Sequence, residues 1–393
     1  MEIHVIATGR GENSFVILPD GTTMLIDLGE GPKDPKHCVP DNSKSSAAHV
    51  ADYIHHFSAG LPHPDHLDYL FITHFHSDHM GSGKTARPGS HGYALSGATE
   101  IGEYCSIGKL VDRDYPDYNY PSKDWIENRC NKGFIDDYIA WTKYQVAERG
   151  SKGERFTIGS HSQFSLMNNP KAYKGCFDIF NVAGYGYITT GKGLKTRKMT
   201  EDDPENFDEN MFSCSIVIRY GDFSYFTGGD TPGSSYFLRK YMNGKAVSEP
   251  IKLNPKVKFR DFESQIADLV APVTAMKANH HGCPDTCNPY FLWKMRPQVI
   301  TVFGSSEKQP APPTLERISD PQMPCAHKVY ITTENPRPSN GDELWNRCVE
   351  ATGHIVIRVT DRGNRYQVYV LDSFSGDYRL KSTSANGGAS KGN

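Results

Sequence analysis

The strongest constraint on the fold is a cluster of metal-binding residue types that directly follows a short apolar segment. Residues 67–73 have the pattern of a short buried strand, and residues 74–79 then contain three histidines and one aspartate. Imidazole and carboxylate together suit zinc, manganese or iron. The sequence therefore predicts a metal site in a loop at the end of a buried strand.

The spacing of this cluster divides its side chains into two pairs. A loop at a strand end can turn His74 and His76 one way and Asp78 and His79 another, so two adjacent metal ions become possible. A solvated histidine-rich loop is the alternative, but so fixed a pattern is rare by composition. A phosphate-binding loop at 81–85 is rejected, because its consensus needs glycine at position 78.

Two later segments place candidate ligands after strand-like runs in the same way. Asp230 follows residues 225–227 in a Thr-Gly-Gly-Asp sequence, where glycine permits close backbone approach and the carboxylate could bridge two metals. His280 and His281 follow the strand-like run 273–277. The alternatives are a turn aspartate that caps the next helix and a solvated histidine pair.

Composition indicates in which cellular compartment the predicted metal site lies. The chain has 393 residues and a formal net charge of −3, and no run approaches the roughly 18 apolar residues that span a membrane. Its start lacks a charged segment followed by an apolar stretch, so neither secretion nor membrane anchoring is expected. Nine scattered cysteines without a CxxC pair favour a reducing compartment, the cytoplasm. Cys283 and Cys287 are either a second metal site or plain loop thiols.

The order of predicted elements favours two sheets with helices outside. Hairpin signals open the chain, Val50, Ile54 and Phe57 share a helical face, and strand signals then alternate with helical ones twice. Two sheets packed face to face satisfy this pattern. The aromatic residues of about 100–150 are expected to form an insertion that caps one side, and the low-complexity segment 381–393 is expected to be a disordered tail.

These motifs resemble the metallo-β-lactamase fold family of metal-dependent hydrolases. Within it, they are most similar to the branch that contains the hydrolase domain of competence DNA-uptake proteins and the phosphorylcholine esterases. The matching segments are Gly9-Arg10-Gly11-Glu12-Asn13-Ser14, 25–29, 74–79, 226–230 and 279–282. The resemblance implies an α+β fold, a four-layer αββα sandwich over residues 1–380, with metals at one edge between the sheets.

The resemblance also implies a role for each matching residue. His74 and His76 would bind the first metal, Asp78, His79 and His281 the second, and Asp230 would bridge them, while His280 would contact the substrate. His161 is the best-placed counterpart of the family's middle metal histidine, with an ordinary loop histidine as the alternative. Asp27 is either a carboxylate that orients the metal loop or a turn residue. Arg10 and Glu12 stand where the branch has glutamine and aspartate.

The implied activity is hydrolysis by a metal-bound hydroxide, with two divalent ions, zinc or manganese, as cofactors. Asp78 would orient the water and receive its proton, and His280 would hydrogen-bond a phosphoryl oxygen. We expect a phosphodiester, in nucleic acid or in a nucleotide-like molecule. The alternatives are a lactone, thioester or β-lactam substrate, and a binding module with a degenerate site.

Charge placement bears on whether the substrate is a polymer. Between Arg239 and Arg260 the chain carries seven basic residues and one acidic residue. Because this segment lies between Asp230 and His281, it could border the site and hold phosphates of DNA or RNA. The alternative is a solvated loop whose lysines maintain solubility.

Overall fold

The computed structural model describes residues 1–31, 38–233, 237–242, 245–250, 260–304, 309–321, 328–332, 342–384 and 386–389. Its strands are β1 (Glu2–Val5), β2 (Ser14–Ile17), β3 (Thr23–Ile26), β4 (His66–Phe71), β5 (Arg87–Pro88), β6 (Ala94–Leu95), β7 (Ser106–Asp112), β8 (Lys152–Arg155), β9 (Phe177–Gly184), β10 (Tyr187–Thr189), β11 (Thr196–Lys198), β12 (Ser215–Tyr220), β13 (Phe223–Thr227), β14 (Phe237–Met242), β15 (Lys245–Pro250), β16 (Ala275–Lys277), β17 (Val299–Val302), β18 (Lys328–Ile331), β19 (Val349–Thr352), β20 (His354–Thr360), β21 (Arg365–Leu371), β22 (Leu380–Thr383) and β23 (Gly387–Gly388). Its helices are α1 (Ser46–Ser58), α2 (Ser77–Met80), α3 (Ala98–Ile101), α4 (Lys123–Arg129), α5 (Ile135–Glu148), α6 (Glu263–Val270), α7 (Pro289–Met295), α8 (Pro312–Ile318) and α9 (Asp342–Cys348).

Two large sheets organise these elements. The first has the order β22-β21-β20-β1-β2-β3-β4-β7-β8, with β23 beside β21, and the second has the order β11-β10-β9-β12-β13-β16-β17-β18-β19. Each sheet changes from antiparallel hairpins to parallel strands, at β3–β4 in the first and at β13–β16 in the second. Since parallel strands end at the same edge, the loops after β3 and β4 are neighbours, as are those after β13 and β16.

The apolar core shows that the strands are covered on both faces. One cluster contains side chains from both sheets, such as Val16 and Ile26 of the first and Ile216 of the second. A larger cluster takes the alternate positions, such as Phe15 and Leu25, and joins them to the helices. Neighbouring residues of a strand point to opposite faces, so these strands contribute to both clusters. Burial on both faces explains why they are apolar at nearly every position.

The predicted combination of sheets and helices is confirmed, whereas two segments differ from expectation. Within the expected insertion at 100–150, Ser106–Asp112 is a strand that lies between β4 and β8 in the first sheet. In the expected tail 381–393, residues up to Thr383 and Gly387–Gly388 pair with β21. Backbone hydrogen bonds to a neighbouring strand can order a polar segment that contributes little to the core, and composition does not reveal such pairing.

Candidate metal centre

The loop after β4 is fixed by the carboxylate of Asp27, which follows β3. Asp27 accepts hydrogen bonds from the backbone nitrogen and hydroxyl of Thr73, both at 2.7 Å. The same carboxylate lies 2.8 Å from Nδ1 of His79. Because a carboxylate oxygen accepts this hydrogen bond, Nδ1 of His79 carries a proton and Nε2 faces away from Asp27, where a metal ion could replace any proton on it. Asp27 therefore orients His79.

Two glycines allow the segments 9–14 and 25–29 to approach this loop. A Cβ atom at Gly29 would lie 2.0 Å from the carbonyl oxygen of Asp78, and one at Gly11 would lie 2.3 Å from it. The backbone nitrogen of Glu12 donates to the same oxygen at 2.8 Å. Glycine at both positions thus brings the side chain of Glu12 beside the histidine loop.

Two groups of ligand-type side chains result, and Asp230 belongs to both. We call Glu12, His79, Asp230 and His281 the inner group; all four are buried, and their ligand atoms lie within 4.8 Å of one another. We call His74, His76 and Asp230 the outer group, which meets the same distance limit and has a half-buried His76. Asp230 Oδ1 lies 3.2 Å from His79 Nε2, and Asp230 Oδ2 lies 3.8 Å from His74 Nε2. The arrangement places one carboxylate between two possible ion positions.

The inner group contains buried polar atoms that lack hydrogen bonds. Among the described residues, His79 Nε2, Asp230 Oδ1 and His281 Nε2 make no hydrogen bond of good geometry, although a carboxylate oxygen lies 3.2 Å from each of the two nitrogens. Such atoms cost free energy when buried unless something binds them. Imidazole nitrogens and carboxylate oxygens in one small space are the donor set of a zinc or manganese site. These residues therefore fit a divalent metal ion.

The charged side chains of the inner group shift one another's pKa values. Burial alone would raise the pKa of Asp230, but the imidazoles of His79 and His281 lower it well below its ordinary value. Burial would lower the pKa of His79, but Asp230 and Glu12 raise it well above its ordinary value. Burial raises the pKa of Glu12. Without an ion, the carboxylates of the inner group thus favour a proton on His79.

Lys277 is a buried cation at the end of β16. Its Nζ donates to Glu12 Oε1 and to the carbonyl oxygen of Gly229, the latter at 2.7 Å, and the side chain is 1% exposed. A buried ammonium needs such partners, because its desolvation is costly. Lys277 therefore offsets part of the negative charge of the carboxylates around it.

The short 3₁₀ turn Asn279–Gly282 contains both adjacent histidines and places their side chains in different surroundings. Both have positive φ values, 47° at His280 and 52° at His281, which non-glycine residues adopt at a cost. His281 is buried, whereas the side chain of His280 is 25% exposed and lies 3.1 Å from Asp285. Although burial lowers it, Asp230 and Asp285 raise the pKa of His280 to about 12. The turn therefore directs His281 into the inner group and leaves His280 at its border.

Asp78, which is expected to be a ligand of the second metal, lies beside the inner group, and its role as a ligand stays a prediction. Its Oδ2 is 3.2 Å from His281 Nε2, and its side chain is 32% exposed. Burial of the carboxyl group would raise its pKa, but His281 and His79 lower it below the ordinary value. Asp78 is thus an ionised carboxylate that reaches both the buried ligands and solvent.

His161 is not brought to this centre. Its Nδ1 lies 2.9 Å from Asp178, its ring stacks on Phe180 at 4.3 Å between centroids, and its side chain is 56% exposed. Its loop packs beside β9 and turns the imidazole towards these neighbours. The expectation that His161 is a ligand is thereby corrected. In the described part of the chain, no metal-compatible group includes Cys283 or Cys287 either.

The basic segment is only partly described. Lys252, Lys256 and Lys258 lie outside the described residues. Arg260 is buried, and its Nε donates to Asp202 at 3.0 Å. Arg260 thus forms an internal contact, and the proposed phosphate-binding rim stays a prediction.

Sequence reasoning missed two members of the centre, Glu12 as a possible ligand and Lys277 as its partner. The signal for Glu12 was its place directly after Gly11 in a glycine-containing turn, and the signal for Lys277 was a charged residue at the end of an apolar run. Searches of protein-family models and of curated proteins find no match to the chain. No helix in the described ranges is both long and apolar enough to cross a membrane.

Proposed function

We propose that the protein is a metal-dependent hydrolase of the metallo-β-lactamase fold type and that it cleaves a phosphodiester. The observation that carries the proposal is the pair of ligand groups that share Asp230. A carboxylate shared by two adjacent ion positions holds those positions close together, which suits two-metal hydrolysis. The resemblance of the sequence motifs to that family supports the same reading.

The fold supports this proposal through its two large sheets. Side chains of both sheets fill one apolar cluster, and the helices cover the remaining faces. We therefore propose a four-layer αββα sandwich that forms one hydrolase domain over residues 1–380. The candidate ligands follow β1, β4, β13 and β16, so they all come from loops between elements of the two sheets.

Charge favours two ions over one. When ionised, the carboxylates of Glu12, Asp27, Asp78 and Asp230 carry four negative charges, and the ammonium of Lys277 offsets one of them. Protonated His280 is balanced by Asp285, so three negative charges remain around ligand histidines that are neutral when they bind metal. One divalent cation would leave the centre negative and would repel an anionic substrate. Two would leave it positive, which favours binding of a phosphodiester. We propose zinc, with manganese as the other candidate that suits these ligands.

Bound cations of this kind activate a water molecule and polarise the oxygen of the bond to be cleaved. Asp78, which reaches solvent beside His281, would orient that water and receive its proton. His280 would donate a hydrogen bond to a phosphoryl oxygen, because it lies at the border of the centre and Asp285 fixes its ring. Asp27 would keep His79 in the tautomer that presents Nε2.

The experiment that tests this proposal combines metal analysis with hydrolysis assays. The purified protein should contain one to two zinc or manganese ions and should cleave bis-p-nitrophenyl phosphate. Single-stranded DNA, double-stranded DNA and RNA test for a polymeric substrate, and a chromogenic β-lactam tests the alternative bond class. A protein that binds no divalent cation, or one that cleaves the β-lactam and no phosphodiester, would contradict the proposal.

The adjacent histidines provide a matched pair of variants. His280→Ala should retain metal and lower kcat by about 100-fold or more, if it acts as a donor to the transition state. His281→Ala should instead lose metal from the inner group. The opposite result would show that the two roles are exchanged.

A further inference from the structure

Residues 209–214, which we call the strap, contact three of the four loops that carry candidate ligands, those after β4, β13 and β16. The carboxylate of Glu209 accepts a hydrogen bond from the backbone nitrogen of Phe75 at 2.7 Å. At the other end, Cys214 N donates to the carbonyl oxygen of Thr73 at 3.0 Å. The strap is therefore bonded on both sides of His74.

The same short segment reaches the ligands of the second sheet. Ser213 Oγ accepts from the backbone nitrogen of Asp230 at 3.0 Å. Asn210 Nδ2 lies 3.3 Å from Nε2 of His280. Four residues of this short strap thus contact loops that are remote from one another in the sequence.

The contact between Glu209 and Phe75 is held by a buried arginine. Arg113 donates from Nε to Glu209 Oε1 at 2.8 Å and from Nη2 to Oε2 at 2.9 Å, and its side chain is fully buried. Its guanidinium carbon lies 4.4 Å from the ring centroid of Phe75 and 4.6 Å from that of Phe212. A two-point bond between planar groups, enclosed by aromatic rings, leaves the carboxylate little freedom.

Phe75 is the residue between His74 and His76. Nε2 of His74 lies 3.2 Å from Nδ1 of His76. The position of its backbone nitrogen helps to set the directions of both imidazoles. Buried ion pairs often contribute little net stability compared with apolar residues of the same volume. Stability alone therefore explains the Arg113–Glu209 ion pair poorly. The hydrogen bond from Phe75 N to Glu209 gives the pair another role.

We propose that Glu209, held by Arg113, is a positioning residue that fixes His74 and His76 through the backbone nitrogen of Phe75. The inference rests on the metal-binding part of the proposed function and does not depend on the substrate. It assigns a role to residues that lie outside both ligand groups. The geometry of the outer group should then depend on an acceptor atom at position 209.

Two double variants separate positioning from stability. Arg113→Met with Glu209→Gln removes the ion pair but keeps a side-chain oxygen that can accept from Phe75 N. Arg113→Met with Glu209→Met removes the ion pair and the acceptor at similar volume and the same net charge. A purely structural role predicts that the two variants bind metal equally.

The measurements are zinc affinity, by competition with a chelator, and the visible spectrum of the cobalt(II)-substituted protein. We expect the Glu209→Met variant to bind one ion about 10–100-fold more weakly than the Glu209→Gln variant, with an altered cobalt spectrum. Equal affinities and spectra would overturn the inference. Tyr53→Phe, which removes a buried hydroxyl 3.0 Å from His4 Nδ1, is the control and should leave both readouts unchanged.

Hydrogen exchange in the unmodified protein provides a test that needs no variant. The amide of Phe75 should exchange as slowly as amides of the sheet core, and an exchange rate typical of exposed loops would overturn the inference. If the unmodified protein binds no metal, the proposed function fails, and comparison of this exchange rate between the two double variants still decides whether the acceptor at position 209 holds the loop.

Discussion

The inner and outer groups differ in how their members reach one another. Two of the three outer ligands, His74 and His76, come from one short loop, and only Asp230 is remote. The inner group takes its members from four separated segments and includes none that are adjacent in sequence. The outer group is therefore largely encoded locally, whereas the inner group exists only when both sheets have folded.

Burial separates the two groups as well. Every inner side chain is buried, and Lys277 supplies a compensating charge beside Glu12. The outer group keeps a half-buried member, His76. An ion in the inner group would therefore be shielded from solvent, and an ion in the outer group would be the more accessible one to a substrate.

The largest effect should follow from the residue that the groups share. Asp230→Asn removes the charge between the two positions while keeping the shape of the side chain. We expect zinc affinity to fall by about 100-fold or more at both positions, measured by chelator competition and metal analysis. Loss of a single ion, with the second bound as in the unmodified protein, would show that Asp230 does not bridge.

A second variant should affect only the inner group and the stability of the metal-free protein. Glu12→Gln leaves the buried ammonium of Lys277 without its carboxylate partner. Breaking a buried pair in this way costs about 3–5 kcal/mol, which urea unfolding in the presence of a chelator would measure. The double change Glu12→Gln with Lys277→Met should recover most of that loss. An unchanged unfolding midpoint in Glu12→Gln would contradict the described pairing.

The pH dependence of metal binding should distinguish the groups. Because the pKa of His79 is raised, the stability that its protonated form contributes to the metal-free protein is fully present below about pH 6.5 and is lost as pH rises through the raised pKa. A metal must displace that proton, so inner affinity should rise about tenfold per pH unit below the raised pKa. Burial and the nearby His79 lower the pKa of His74, whose nitrogen is therefore available to a metal at neutral pH.

Two variants allow this difference to be measured separately. His76→Ala should leave the inner group as the binding position, and Glu12→Gln should leave the outer group. Zinc affinity measured between about pH 6 and about pH 8 should rise steeply in the first variant and change less in the second. Equal slopes would contradict the assigned protonation states.

The smallest effect is expected at His161. Its exposed pairing with Asp178 lies outside both groups, so His161→Ala should leave metal content unchanged. Exposed ion pairs contribute about 0–1 kcal/mol, so the unfolding free energy should change little. Metal loss in this variant would restore the original expectation that His161 is a ligand.

The difference between local and remote contacts also explains what the sequence could predict. The loop from His74 to His79 and the residues Asp230 and His281 follow strand-like runs, so position and residue type together identified them. Glu12 was not identified as a ligand, because its proximity depends on the packing of two glycines against Asp78. Lys277 was missed for a similar reason, since its contacts cross from one sheet to a loop of the other.

For the fold as well, local features could be predicted from the sequence and remote strand pairings could not. The apolar face of α1 was readable from Val50, Ile54 and Phe57, because helical periodicity is a local property. The strand Ser106–Asp112 was not recognised within an aromatic segment, because its parallel partners β4 and β8 are remote in sequence. Parallel pairing across long connections leaves a weak local signal.

Anomalous diffraction from crystals of the purified protein can show whether the two ligand groups that share Asp230 hold divalent cations. The data are recorded at the absorption edge of the metal found by elemental analysis. We expect one peak among Glu12, His79, Asp230 and His281 and another among His74, His76 and Asp230. Fully loaded crystals with no peak in contact with Asp230 would show that the groups do not hold the ions.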